Sequence, residues 1–196
     1  MIKIILDPGH GDPDPGALGS MSREADINLS VALTAQKYLK TFGYIPILTR
    51  DTAERIFKDN RTVDLSARAN VANRVNGNCF VSIHCNAAES RLANGFEIYT
   101  TLKQNNSDKL ATCIYNEWVK AFPDQRKRVD FRDGDPDKEA NFKVIRETRC
   151  PSCLIELAFI TNPREELFLL DIRNQDLMGA AIATGIHNFF EGLKEG

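Results

Sequence analysis

Short, almost uninterrupted apolar runs recur along this chain, each followed by a longer stretch of helical spacing. Cys79-Phe80-Val81-Ser82-Ile83-His84 is the clearest run. A strand with apolar side chains on both faces must be covered on both faces. Segments 2–6, 45–49, 79–85, 95–100, 142–145 and 152–157 read as strands by the same criterion. Between them, Ile27, Val31, Ala35, Tyr38 and Phe42 form one face of a helix over 24–42, with Ser22 as its N-cap and Gly43 as its stop. Further helices are expected over 64–76, 106–122, from about Pro163, and over 174–191. Leu110, Ile114, Trp118 and Phe122 share one stripe, and Met178, Ile182, Ile186 and Phe189 another. The alternation predicts an α/β three-layer sandwich, with a largely parallel central sheet of about six strands and helices on both faces. A length of 196 residues suits a single domain spanning 1–196.

A formal net charge of −2 offers no electrostatic footprint for nucleic acid or an anionic membrane, and neither partner is expected. No apolar run is long enough to span a bilayer. Ile2–Leu6 is too short for the apolar core of a secretory signal, so synthesis in the cytosol without a signal peptide is expected. Five cysteines, an odd number, cannot all pair within one chain and read as reduced thiols. Cys150 and Cys153 have CxxC spacing but lack a second such pair, so they read as structural. Segment 123–141 mixes six acidic and five basic residues without a period, and reads as a solvated surface loop. Loops of that length otherwise serve as lids or binding loops.

Histidine is scarce, and two of the three stand where a parallel sheet places its ligands, beyond the carboxyl ends of strands. His10 follows the first strand in Asp7-Pro8-Gly9-His10-Gly11, and His84 ends the third. Gly9, Gly11 and Gly16 allow a shaped loop that leads into a helix start at Glu24. Two imidazoles and one carboxylate form a recurring catalytic zinc set that leaves a fourth position for water. Glu156 lies in the otherwise apolar Cys153–Phe159 run, where a carboxylate is costly unless its site uses it. It is the candidate base. His187 lies off the apolar stripe of the last helix and reads as an exposed surface residue.

These residues carry a family resemblance over nearly the whole chain. Leu6-Asp7-Pro8-Gly9-His10-Gly11, Glu24 with Asn28, Thr49-Arg50, Leu65 with Arg68, Phe80-Val81-Ser82-Ile83-His84 with Asn86, Gly95-Phe96-Glu97, and Ile155-Glu156-Leu157-Ala158-Phe159 stand in order. Together they resemble the zinc-dependent N-acetylmuramoyl-L-alanine amidases, which include bacterial cell-wall amidases and phage endolysin catalytic domains. The resemblance implies hydrolysis of the amide between N-acetylmuramic acid and L-alanine in peptidoglycan. It implies one zinc held by His10, Glu24 and His84, with Glu156 as general acid/base. Asn86 and Arg146, read as lying after strands at the same rim, are expected to hold substrate. The alternatives are a zinc peptidase cutting within the stem peptide and a non-catalytic peptidoglycan-binding module. A monomer acting at the cell wall is expected, reached by phage or prophage release or belonging to a trimmed bacterial amidase. Asp12 and Ala158 depart from the family pattern, each standing where glycine is usual.

Overall fold

The computed structural model describes residues 1–102 and 104–194; Lys103, Glu195 and Gly196, which the expected 1–196 domain includes, lie outside the described residues. In chain order the elements are β1 (Lys3–Pro8), α1 (Glu24–Thr41), β2 (Ile45–Leu48), α2 (Arg61–Val75), β3 (Cys79–Asn86), β4 (Glu97–Thr100), α3 (Asn106–Ala121), β5 (Lys138–Glu139), α4 (Lys143–Arg146), β6 (Ser152–Phe159), α5 (Pro163–Leu170) and α6 (Ile172–Gly192). The six strands form one sheet in the order β2-β1-β3-β6-β4-β5. β1, β2, β3 and β6 run parallel, β4 runs against β6, and β5 follows β4. The expected three-layer α/β architecture is the one observed.

Side-chain alternation along the central strands divides the core in two. Ile4, Leu6, Val81, Ile83, Cys153 and Ile155 face the larger cluster, which α1, α3 and α6 cover with Val31, Ile114 and Ile182. Ile5, Phe80 and Leu154 face the smaller cluster, covered by Ala72 of α2 and by Val144 and Ile145 of α4. Trp118, Leu110, Ile114, Met178, Ile182 and Ile186 are wholly buried, as the helical stripes predict.

Two elements differ from expectation. Segment 142–145 is not a strand: Lys143–Arg146 make one helical turn, which places the consecutive Val144 and Ile145 both against the smaller core. The edge strand is Lys138–Glu139, inside the segment read as loop. A pairing of two residues is too short to leave a periodic signal. The start of α1 also differs. Arg23, not Ser22, is its N-cap, and its side chain makes no capping bond. The first amides of the helix go instead to backbone carbonyls, Glu24 N to Ala17 O and Ala25 N to Pro15 O. Ser22 is thereby free to donate to Glu166 Oε1 at 2.7 Å.

A buried ionic cluster stands where β1 ends. Asp7, on the smaller-core face, accepts from Arg68 Nη1 (3.0 Å), Thr49 Oγ1 (2.6 Å) and Ser82 Oγ (2.7 Å). Arg68 also donates Nε to Asp64 Oδ2 at 2.7 Å. Burial disfavours the Asp7 charge, but Arg68 and the two hydroxyls outweigh it and hold its pKa below the ordinary 3.8. Its stabilising contribution is therefore complete above that pH and is lost as pH falls through the lowered value. Removing one partner of a buried pair strands the other. We expect Arg68→Ala to lower the unfolding free energy in urea by about 3–5 kcal/mol at neutral pH; a loss below ~1 kcal/mol would mean Asp7 needs no such partner.

Candidate metal centre and active site

The loop after β1 brings His10 to the rim in a constrained shape. His10 itself adopts a positive φ of 62°, a region that non-glycine residues seldom occupy. Buried guanidinium groups fix this backbone. Arg50 donates Nε to Pro8 O (3.0 Å) and Nη2 to Gly9 O (3.0 Å), while Arg68 donates to Pro8 O (2.8 Å) and His10 O. Two glycines are required by close approach. A Cβ on Gly9 would lie 2.2 Å from Cε1 of His84, and one on Gly16 would lie 2.5 Å from Oε2 of Glu24.

His10, Glu24 and His84 converge. Glu24, buried at the first position of α1, places Oε2 at 3.2 Å from His10 Nε2 and Oε1 at 2.9 Å from His84 Nδ1. The imidazole rings stand edge to face with centroids 5.0 Å apart. Tetrahedral zinc with ligands at 2.0–2.1 Å would set its donors roughly 3.3 Å apart, so the carboxylate–imidazole spacings suit it. The carboxylate is held from behind by Ala17 N at 2.7 Å and Cys85 N at 3.1 Å. Asp14 Oδ2 lies 3.0 Å from His10 Nδ1, leaving Nε2 to face Glu24. A carboxylate behind an imidazole is the usual outer support of a metal-ligating histidine. Burial disfavours the Glu24 charge, but hydrogen bonds to His10 and His84 and their positive charge hold its pKa well below the carboxylate range. Burial likewise lowers the His10 pKa, and Glu24 and Asp14 more than restore it.

Glu156 lies on β6 directly across from His84 on β3, and Glu97 of β4 pairs with it from the other side. Its Oε2 is shut away from solvent with no hydrogen-bond partner among the described residues. Burial, then the charges of Glu24 and Glu97, push its pKa well above the ordinary 4.5. The two carboxylates on one rim are thus driven apart, Glu24 toward its charged form and Glu156 toward its protonated form. Such a split assigns different roles to chemically identical groups.

Asn86 ends β3 beside a register shift and donates Nδ2 to Glu97 Oε2 at 2.6 Å. Arg146 is placed otherwise than expected. It ends a helical turn, not a strand, its Nη1 donates to Asn141 Oδ1 at 2.8 Å, and none of its described bonds reaches His10, Glu24, His84 or Glu156. His187 is half-buried rather than exposed, stacked on Phe42 with Nδ1 2.9 Å from Tyr44 Oη. Sequence reasoning passed over Asp14, Arg128 and Lys138. Arg128 Nε (2.5 Å) and Lys138 Nζ (2.8 Å) both reach Glu97 Oε1. Together with Tyr99 Oη they outweigh the burial of Glu97 and keep its pKa low. Both cations come from the mixed-charge segment 123–141, whose near-balance of signs concealed them. Asp12, the departure from the family pattern, pairs with Arg23 at the entry to α1, and Ala158 is wholly buried.

Fold and rim together define an α/β protein with a His₂–Glu group able to hold one metal ion beside a buried glutamate. The chain belongs to the N-acetylmuramoyl-L-alanine amidase family, whose profile matches residues 4–188. It is 34% identical over 189 residues to the amidase LytC of Bacillus subtilis, covering 95% of this chain but 35% of that protein. It is 28% identical over 194 residues to the germination-specific N-acetylmuramoyl-L-alanine amidase of the same organism, covering 95% of this chain and 79% of that one. The chain thus spans about a third of the first relative and about four-fifths of the second. Among solved structures, the CwlD amidase of Clostridioides difficile, in complex with the GerS lipoprotein, superposes with a TM-score of 0.88 at 29% identity, covering 98% of this chain and 100% of that one. The catalytic domain of CwlV from Bacillus (Paenibacillus) polymyxa gives 0.83 at 30% identity, covering 97% and 99%.

All five cysteines are free. Cys153 faces the larger core and Cys150 packs against the smaller, so the sheet separates the CxxC pair. Burial raises the Cys150 thiol to about 11. Neither thiol is arranged as a ligand, and replacing both with serine should leave the metal content of the purified protein unchanged, as read by elemental analysis. Loss of metal from a folded double variant would overturn that assignment.

Proposed function

We propose that this chain, as one domain over 1–196, hydrolyses the amide joining N-acetylmuramic acid to L-alanine in peptidoglycan, with one zinc held by His10, Glu24 and His84. The carrying observation is the Glu156 carboxylate. Its Oε2 is closed to solvent and unpartnered among the described residues, and its pKa is raised, one strand away from a His₂–Glu group. A binding module would gain nothing from such a costly group, whereas a hydrolase needs one. Zinc at this site would supply Lewis acidity toward the amide carbonyl and lower the pKa of its water toward ~7.

The protein's own groups account for the proton movements. A Glu156 carboxylate, once ionised beside the bound cation, accepts the proton of the attacking water on its free oxygen. It then returns that proton to the departing alanine nitrogen. Glu97 stays charged under Arg128 and Lys138 and repels a second negative charge at Glu156. That repulsion favours the protonated carboxyl, the form needed by the leaving group. Asn86, held by Glu97, is positioned to offer its amide to substrate. Arg146 is left out of the substrate contacts on the placement described above.

The relatives named as N-acetylmuramoyl-L-alanine amidases support this bond over one within the stem peptide. We further propose that the protein acts as a monomer and needs no activator; the second part is supported by segment 122–142, which among the described residues forms no helix that could plug the rim.

Mass spectrometry of digested peptidoglycan fragments should show a new L-alanine amine and an intact lactyl group on muramic acid. Stem-peptide cleavage products instead would assign the peptidase reading. Purified alone, the zinc-loaded chain should turn over; a chain inert until another protein is added would remove the activator-free part of the proposal. Glu156→Gln should keep its zinc and lose ~10²–10⁴-fold in turnover. Glu24→Ala should lose zinc and turnover together. If Glu156→Gln sheds zinc, Glu156 belongs to the metal shell.

A further inference from the structure

A second group of carboxylates lies at the sheet edge, away from the His₂–Glu centre. Asp108 of α3 and Asp135 and Asp137, just before β5, each direct an oxygen to a common point, the three atoms lying within 4.8 Å of one another. Asp137 is wholly buried. Its Oδ1 and that of Asp135 are both closed to solvent with no hydrogen-bond donor among the described residues.

Among the described residues the hydrogen-bond donors reaching these oxygens are few. Thr100 Oγ1 stands 2.6 Å from Asp137 Oδ2 and 3.0 Å from Asp108 Oδ1, but a hydroxyl has one proton to give. The second oxygen of Asp108 caps the Asn105 amide, and Gln104 reaches only the outer oxygens of Asp133 and Asp135. Arg132 pairs with Asp130 and Lys138 with Glu97; Lys109 lines the same cavity as Asp108 and Asp135, but no described ion pair joins it or any other cation to Asp108, Asp135 or Asp137. Acceptors facing one another at this range need positive charge between them.

We propose that Asp108, Asp135 and Asp137 form a second cation site, which takes calcium and fastens the segment carrying β5 to the start of α3. The donors are all hard oxygens, with no histidine or thiol, which selects against zinc. They come from a helix, a loop and a strand edge, an irregular set that suits calcium better than the strict octahedron of magnesium. Calcium–oxygen distances of roughly 2.3–2.6 Å match donors separated by up to about twice that length. A cavity of about 390 Å³ lined in part by Gln104, Asp108 and Asp135 gives an entry path. Without an ion, burial and the neighbouring Asp135 raise Asp137 to about 8, so the cluster then closes on a proton. Lys138 follows Asp137 directly and binds Glu97, so calcium would steady the edge that supports the active-site rim.

The test is calorimetric titration of the zinc-loaded chain with calcium chloride, with thermal melts at matched ionic strength. One saturable calcium per chain is expected, with Kd on the order of 0.1–1 mM as in weaker oxygen-donor sites, and a melting temperature that rises with calcium. Asp137→Asn should abolish both responses and leave zinc content unchanged. In calcium-free buffer it should melt no lower than the parent, since an amide supplies the missing donor. Should that variant not fold, Asp135→Asn, at the half-exposed member of the cluster, should show the same loss. No saturable binding up to ~10 mM calcium, or binding that persists in the folded aspartate variants, would overturn the site and leave a shared proton as the whole explanation.

Discussion

Two buried guanidinium groups gripping three consecutive carbonyls set the geometry on which this site depends. Pro8, Gly9 and His10 leave the sheet with their carbonyls turned away from any strand partner. Arg50 and Arg68 between them satisfy all three. Buried carbonyls left bare would cost more than the turn could bear. With them held, the chain can reverse at a positive φ and aim the His10 ring at Glu24 rather than at solvent. The guanidiniums in turn need neutralisation, which Asp7 and Asp64 give to Arg68. Arg50 has no such close partner. Burial and the repulsion of Arg68 draw its pKa down to about 10, still far enough above neutrality to keep it charged. The ionic cluster therefore serves a loop, and through the loop an imidazole.

The sheet supplies the second constraint. Parallel pairing of β3 with β6 in the observed register sets His84 opposite Glu156, and the antiparallel β4 sets Glu97 opposite Glu156 in the next position. Because side chains alternate, Asp7, Ser82, His84, Glu156 and Glu97 all lie on the smaller-core face near one rim. A slip of one residue would turn Glu156 into the larger apolar core. The buried runs Val81–Ile83 and Cys153–Ile155 fix that register, so apolar packing determines the placement of Glu156.

Much of this could be read from the residues. Strands with continuous apolar runs, such as 79–85, and helices with full stripes, such as Met178 to Phe189, stand where their patterns put them. His10, His84 and Glu24 do come together at one rim, and Glu156 stands beside them as a lone acid inside an apolar run, which made it conspicuous. What escaped detection has a common physical cause: contacts set by tertiary neighbours leave no local pattern. Val144 and Ile145 suit a strand or a turn of helix equally, and only the shape of the smaller core decides. Ser22 is a natural cap by type, but the carbonyls of Pro15 and Ala17 already occupy the helix amides. Arg128 and Lys138 sit in a segment of six acids and five bases, so composition gave no reason to separate them from solvated charge.

That mixed-charge segment sorts its charges by distance from the rim. Two of its cations, Arg128 and Lys138, turn inward to Glu97, while Asp135 and Asp137 collect beside Asp108. Near-zero net charge over 123–141 thus conceals two groupings of opposite sign. The cationic one holds Glu97 toward its charged form, and the charge of Glu97 helps raise the Glu156 pKa. The anionic one must be offset where it lies, because burial prevents water from screening it. A cation there would complete the charge balance without touching the rim.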